Sequence, residues 1–283
     1  MEKNEFKYRG WLRVLLLTIP CFFIVGLFQF IGGLIIGVDF TSQETRNSFE
    51  DLIIYFSGLV GTFLALWIFM KFVDKEPFVK LGFQTKNRFK EFIIGIIIGL
   101  VIMSLGYYIL IYLDEIIFLK TNFNFKELII SILLYIIVAV GEEVILRGYV
   151  LKNLLFSFNK YIALILSSIL FSLIHGFNDH IDSFALLNLF LAGILLGLPY
   201  IYTKNLWFSI ALHLSWNLFQ TLLGFNVSGH ESYSLIEFKI NQPNLINGGP
   251  FGFEGSYLAV IAQIITIVAI AYYFNCKKEL QTI

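Results

Sequence analysis

Eight stretches of the chain are long apolar runs with few charges: 11–38, 52–73, 92–113, 128–149, 161–177, 184–202, 206–224 and 257–274. A bilayer core about 30 Å thick needs about 20 mostly apolar residues per helical span. Backbone amides in lipid must also pair within their own segment, which only helices and closed barrels achieve. The pattern predicts an all-α, polytopic transmembrane helical bundle of about eight spans. The first run continues from Leu15 to Val38 without a small-residue cleavage site. That is long for a signal peptide and reads as a retained first span. Pro20 and Pro199 predict kinks in the first and sixth spans. Between the runs, 39–51 is polar and acidic and 74–91 is basic, while 225–256 is rich in Gly, Asn and Ser and reads as an irregular loop. With no internal repeat or separate soluble region, 1–283 is expected to form one integral-membrane domain.

Composition agrees with this picture. Hydrophobic residues make up 58% and charged residues 14%, against about 25% charged in soluble domains. The formal net charge is zero, so charge points to no nucleic-acid partner. Cys21 and Cys276 lie at opposite ends of the sequence without a CxxC, so no disulfide frame or zinc knuckle is expected.

Charge does orient the chain. If the N-terminus is cytoplasmic, alternate connections divide the Lys and Arg residues 16 to 4 in favour of the cytoplasmic side. Both termini are then cytoplasmic, and Trp11, Trp67, Trp207, Tyr272 and Tyr273 fall at the cytoplasmic ends of spans, as an interfacial aromatic belt should. The expected setting is a plasma membrane of bacterial type, with the lipid bilayer as first partner. Nothing in the sequence sets the oligomeric state.

Ionisable groups inside spans cost about 2.5–3.5 kcal/mol each on insertion scales, so a retained one points to a role. The intramembrane groups here are Glu142, Glu143 and Arg147 in "EEVILR", His175 in "FSLIH", and His213 with Asn217 in "HLSWN". Glu143 and Arg147 are four apart with the acid first, the favourable order for a helical ion pair. Glu142 lies about 100° round the helix from Glu143 and is the less neutralised carboxylate. Glu143 and Arg147 therefore read as mainly structural, and Glu142 as the chemical group. His213 and Asn217 are also four apart and face one way.

Each feature has a purely structural alternative: a buried ion pair, a snorkelling histidine, or helix–helix hydrogen bonds. Together, one Glu, two His and an Asn on three spans make a hydrolytic set. His180, Asp179 and Asp182 fall in a polar loop and stay outside it. Gly193 and Gly197 form a GxxxG, which predicts close helix packing.

These motifs, with "FLAGILLG" from Phe190 to Gly197, stand in the order and spacing of the CPBP family, which the chain resembles over roughly Lys126 to Phe225. That family of intramembrane proteases includes type II CAAX prenyl endopeptidases and bacteriocin-processing or immunity proteins. Leu146 stands where the family often has Phe. The resemblance implies a core protease region at 126–225 and an intramembrane endopeptidase acting on a hydrophobic or lipidated peptide. It implies that Glu142 and His175 activate the attacking water, and that His213 and Asn217 polarise the scissile carbonyl and stabilise the oxyanion, with Glu143 and Arg147 in support. These side chains suit the work, since a carboxylate and an imidazole can share general-base duty and an amide donates to an oxyanion.

Two points stay open. Glu142, His175 and His213 supply the ligand count of a catalytic zinc site, while a metal-free glutamate mechanism is equally admitted. Depth is the other. At about 1.5 Å per residue, Glu142 and His213 fall nearer the cytoplasmic face than His175. A common site then needs tilted or broken helices, or different span ends. The stretch "KNLLFSFNK" offers one such break. Two other functions fit intramembrane charge: a catalytically silent scaffold, and a proton-coupled transporter. The transporter is disfavoured because the two halves show no matched pattern of broken spans.

Overall fold

The computed structural model describes residues 9–39 and 46–280. Lys3 and Lys7, counted above with the cytoplasmic bases, lie outside that range, as do the side chains of Lys277 and Lys278. The chain forms α1 (Gly10–Ile35), α2 (Ser48–Asp74), α3 (Phe89–Tyr112), α4 (Phe125–Ser157), α5 (Lys160–Ile174), α6 (Ser183–Thr203), α7 (Trp207–Leu222) and α8 (Tyr257–Leu280). Each predicted apolar run is one of these helices. Six of them are long and apolar enough to cross a membrane. Both α5 and α7 are shorter, at 15 and 16 residues.

Local chemistry sets the helix starts. Asn47, Asn124, Asn159 and Asp182 each accept backbone N–H bonds in the first turn of the following helix, which satisfies donors that have no intrahelical partner. At α2 this is a capping box, with Glu50 returning a bond to the Asn47 N–H. Pro20 and Pro199 both lie inside continuous helices.

Packing rests on small residues, as expected where lipid removes the hydrophobic drive between helices. Helix α7 lies against α3, and Ser215 Oγ donates to the Gly95 carbonyl at 3.0 Å. Helix α6 lies against α5. A Cβ added at Gly193 would meet Ser168 Cα at 2.8 Å, and one at Gly197 would meet Leu164 Cδ1 at 2.6 Å. The GxxxG thus serves close packing. Helix α4 runs between α2 and α7. Outward faces carry exposed apolar side chains such as Ile19, Phe22, Leu105 and Ile265, which suits lipid.

Polar contacts sort the two ends of the bundle. At one end Trp11 N–H donates to Ser157 Oγ (3.2 Å), Arg13 pairs with Asp74 (2.6 Å), Lys152 with Glu76 (2.7 Å), and Asn205 Nδ2 donates to the Gln84 carbonyl (2.7 Å). Burial alone raises the Glu76 pKa, but the Lys152 bond and charge, with Lys80 behind them, hold it below the usual carboxylate range. At the other end the loop read as irregular is an ordered cap. Its strand β2 (Ile236–Ile240) pairs antiparallel with β1 (Ile116–Thr121), a small sheet that the apolar pattern does not predict. The all-α class holds around it. Tyr233 OH donates to the Asn122 carbonyl, and Glu115 accepts from both Asn244 and Asn247.

Candidate active site

The two adjacent glutamates sit midway along α4, immediately before a π-helical segment, Val144–Leu151. Such segments are rare and recur at functional sites. Helical spacing sends the two carboxylates to different surroundings. Glu143 is fully buried, and its Oε1 accepts from Arg147 Nη1 at 2.8 Å. Arg147 is 1% exposed; it also donates to the Gly193 carbonyl at 3.2 Å and lies 4.5 Å from the centre of the Phe171 ring.

Glu143 has a second partner that spacing alone does not show. His213 Nδ1, from α7, lies 2.9 Å from the same Oε1. Glu143 therefore also orients a histidine, beyond the structural role read from its pairing with Arg147.

Glu142 points into a cavity of about 1230 Å³. Its Oε2 is buried and has no hydrogen-bond partner, and it lies 3.7 Å from His175 Nε2 and 4.0 Å from His213 Nε2. His175 caps the C-terminus of α5, and its Nδ1 is 2.7 Å from the Phe171 carbonyl. With an N–H at each Nδ1, both Nε2 lone pairs face the carboxylate. With neutral rings three acceptors converge there, leaving a place for a proton donor; with His213 doubly protonated, its Nε2–H is itself a donor at that place. A water about 2.8 Å from both Glu142 Oε2 and one Nε2 subtends roughly 83–91° at those separations, so the gap suits water. Asn217 lines the same cavity one turn beyond His213. Its amide takes no hydrogen bond from another described residue.

The fold thus gathers Glu142, His175, His213 and Asn217 on one cavity, with Glu143 and Arg147 behind them. His180 and Asp179 lie at the cavity rim, and Asp182 caps α6. Different helix ends resolve the question of depth. Helix α4 continues through Ser157 before a break at Phe158 and Asn159, so the "KNLLFSFNK" break is short and late. Helix α7 begins at a buried turn, where Asn205 and Leu206 are held by Gln84 and Gly82. The start of α7 is therefore covered by the 82–84 segment, and a residue count that begins at the protein surface does not apply to it. Helix α5 stops below the rim and presents His175.

Two further residues shape the site: Phe171, which opens the "FSLIH" motif, and Glu254, which did not stand out in the sequence. Phe171 packs on Arg147 and on His175, whose ring centre is 4.8 Å away. Glu254, in the cap, accepts from Trp216 Nε1 at 3.1 Å and from the Ser228 N–H and hydroxyl at 2.9 and 2.7 Å, tying the cap to α7 beside the cavity. An acidic residue in the glycine-rich "GGPFGFEG" was the available signal.

The donor types and engaged Nδ1 atoms suit a metal, but the spacing does not fit zinc. Bonds of about 2.0–2.1 Å in a tetrahedron put neighbouring donors about 3.3–3.4 Å apart. The separations here are 3.7 and 4.0 Å, and among the described residues no three His, Cys, Asp or Glu groups form a set able to hold an ion.

No curated protein matches this chain. Residues 124–219, from the N-cap of α4 to the last turn of α7, match the family described as Type II CAAX prenyl endopeptidase Rce1-like. That segment contains Glu142, Glu143, Arg147, His175, His213 and Asn217. Over that segment this multi-pass membrane protein is similar to the Rce1-like type II CAAX prenyl endopeptidase family, in keeping with the CPBP family that its motifs resemble.

Proposed function

We propose that the protein is an intramembrane endopeptidase that hydrolyses a peptide bond in a hydrophobic or membrane-tethered polypeptide. The observation that carries this reading is the convergence of Glu142 Oε2 with His175 Nε2 and His213 Nε2, at 3.7 and 4.0 Å, on a large cavity. A water between Glu142 and His175 gives its proton to Glu142 as its oxygen attacks the scissile carbonyl. The bond from Nδ1 to the Phe171 carbonyl keeps the His175 Nε2 lone pair turned to that water. The Asn217 amide meets the tetrahedral oxyanion.

His213 serves as second donor when both its nitrogens are protonated: Nδ1–H stays on Glu143 and Nε2–H faces the substrate oxygen. In that form Glu142, Glu143, Arg147 and His213 sum to zero charge, which limits the penalty of burying them together. Glu142 then passes its proton to the leaving amine as the C–N bond breaks, the usual return of a general base as general acid.

The test compares peptides from cells expressing the wild type with those from cells expressing Glu142→Gln, by mass spectrometry of membrane and released fractions. Fragments with new termini inside apolar segments are expected with the wild type alone. Identical peptide sets from equally abundant protein would overturn the reading.

A further inference from the structure

The cavity mouth and most of the basic residues lie at opposite ends of the bundle. Its rim comes from Arg46, Lys126, Asn178, His180, Ser228 and Glu231. These belong to the end closed by the β1–β2 sheet and the 225–256 cap, as the Tyr135–Ser232 and Asn178–Ser228 hydrogen bonds (3.1 and 3.0 Å) show. The cavity has no lining residue from the other end. That other end carries Arg9, Arg13, the six bases between Lys71 and Lys90, and Lys152, Lys160 and Lys204, whereas the rim end carries only Arg46, Lys120, Lys126 and Lys239 among the described residues. Short connections rich in Lys and Arg stay in the cytoplasm.

We propose that the cavity is loaded from the non-cytoplasmic side. Its substrate is then an exported or membrane-inserted polypeptide whose apolar segment enters from outside, rather than the tail of a cytoplasmic protein. The cavity wall fits such a segment, since Phe171, Leu189, Ala192, Leu195 and Leu212 line it below the polar rim. Glu142 is 15 residues along α4 from the rim residue Glu127, roughly 22 Å at the helical rise. An extended segment of about seven residues spans that depth at about 3.3 Å each. Cleavage therefore falls well inside the apolar segment, and the outer product leaves by the route of entry. This inference takes the peptidase reading for its substrate class, but the orientation stands on the geometry.

The test uses single cysteines in a Cys21→Ser, Cys276→Ser background. Glu231→Cys marks the rim and Lys86→Cys the basic end; both native side chains are exposed. Intact cells and inverted membrane vesicles are treated with a membrane-impermeant maleimide. Glu231→Cys is expected to label in intact cells, and Lys86→Cys in inverted vesicles. The reverse pattern, labelling of both from one side, or no labelling of Glu231→Cys in intact cells would overturn the orientation.

Labelling needs no turnover, so the same experiment is run with Glu142→Gln added. Glu142-dependent fragments should collect outside the cytoplasm, and their confinement to the cytoplasm would overturn the substrate class. The expected labelling without any Glu142-dependent fragment would refute the peptidase reading alone. Reversed labelling with such fragments present would refute the orientation alone.

Discussion

Replacing Glu143 by Gln removes a charge and keeps an oxygen. That makes it a sharp probe of the buried pair, because Oε1 alone accepts from both Arg147 and His213, at 2.8 and 2.9 Å. Removing one partner of a buried ion pair costs about 3–5 kcal/mol by soluble-protein precedent. Here the lower end applies, because the amide oxygen still accepts and Arg147 retains the Gly193 carbonyl and the Phe171 face. A loss of about 3 kcal/mol corresponds to a fall of roughly 6–12 °C in Tm, taking 2–4 °C per kcal/mol.

The assay is thermal unfolding of the purified protein in detergent, read with expression yield. The double variant Glu143→Gln, Arg147→Met separates causes. It should recover most of the lost Tm, since no buried charge is left unpaired. It should not recover activity, since the carboxylate that supports the protonated form of His213 is gone. Normal yield with a Tm within about 2 °C of wild type for the single variant would refute the assignment of Glu143 as the counter-charge of Arg147. Restored activity in the double variant would refute its hold on His213.

Asn217→Ala should lower kcat by about 10²–10³ with a small change in KM, the loss typical of one oxyanion donor; steady-state kinetics on an identified substrate checks it, and a loss confined to KM would remove Asn217 from the transition state. Metal analysis by mass spectrometry, on the samples used for kinetics, should find full activity at a small fraction of an equivalent of any transition metal, with no effect of chelator. Near one equivalent, lost together with activity in His175→Ala, would instead place an ion on Glu142, His175 and His213. Gly193→Val should lower Tm and yield, because even its Cβ would come within 2.8 Å of the Ser168 backbone and overpacking costs about 1–3 kcal/mol. Unchanged stability would show that α5 and α6 can separate freely.

Hydropathy period and local spacing are properties of neighbouring residues, and they were legible before any fold was known. The eight apolar helices followed from run length. The Glu143–Arg147 pair followed because residues four apart share a helix face whatever packs on it, and the separation of Glu142 from Glu143 followed from the same geometry. The motif types marked the residues that now line one cavity.

Contacts between distant segments were not legible. The Glu143–His213 bond joins residues 70 apart, and no period in either helix says which faces will meet. Depth was misleading for a related reason: counting residues assumes that every helix starts at the membrane surface, whereas α7 starts at a buried turn held by residues 82–84 and α5 ends short of the rim. The cap at 225–256 read as irregular because Gly, Asn and Ser signal turns and carry no period. Its order comes from partners elsewhere, with β1 supplying a strand edge and Trp216 a donor for the buried carboxylate of Glu254. The sequence by itself determined which groups were costly enough in lipid to need a purpose. Tertiary structure decided which of them share a cavity, and at which end it opens, because those depend on where helix ends are buried and which backbones the small residues allow to touch.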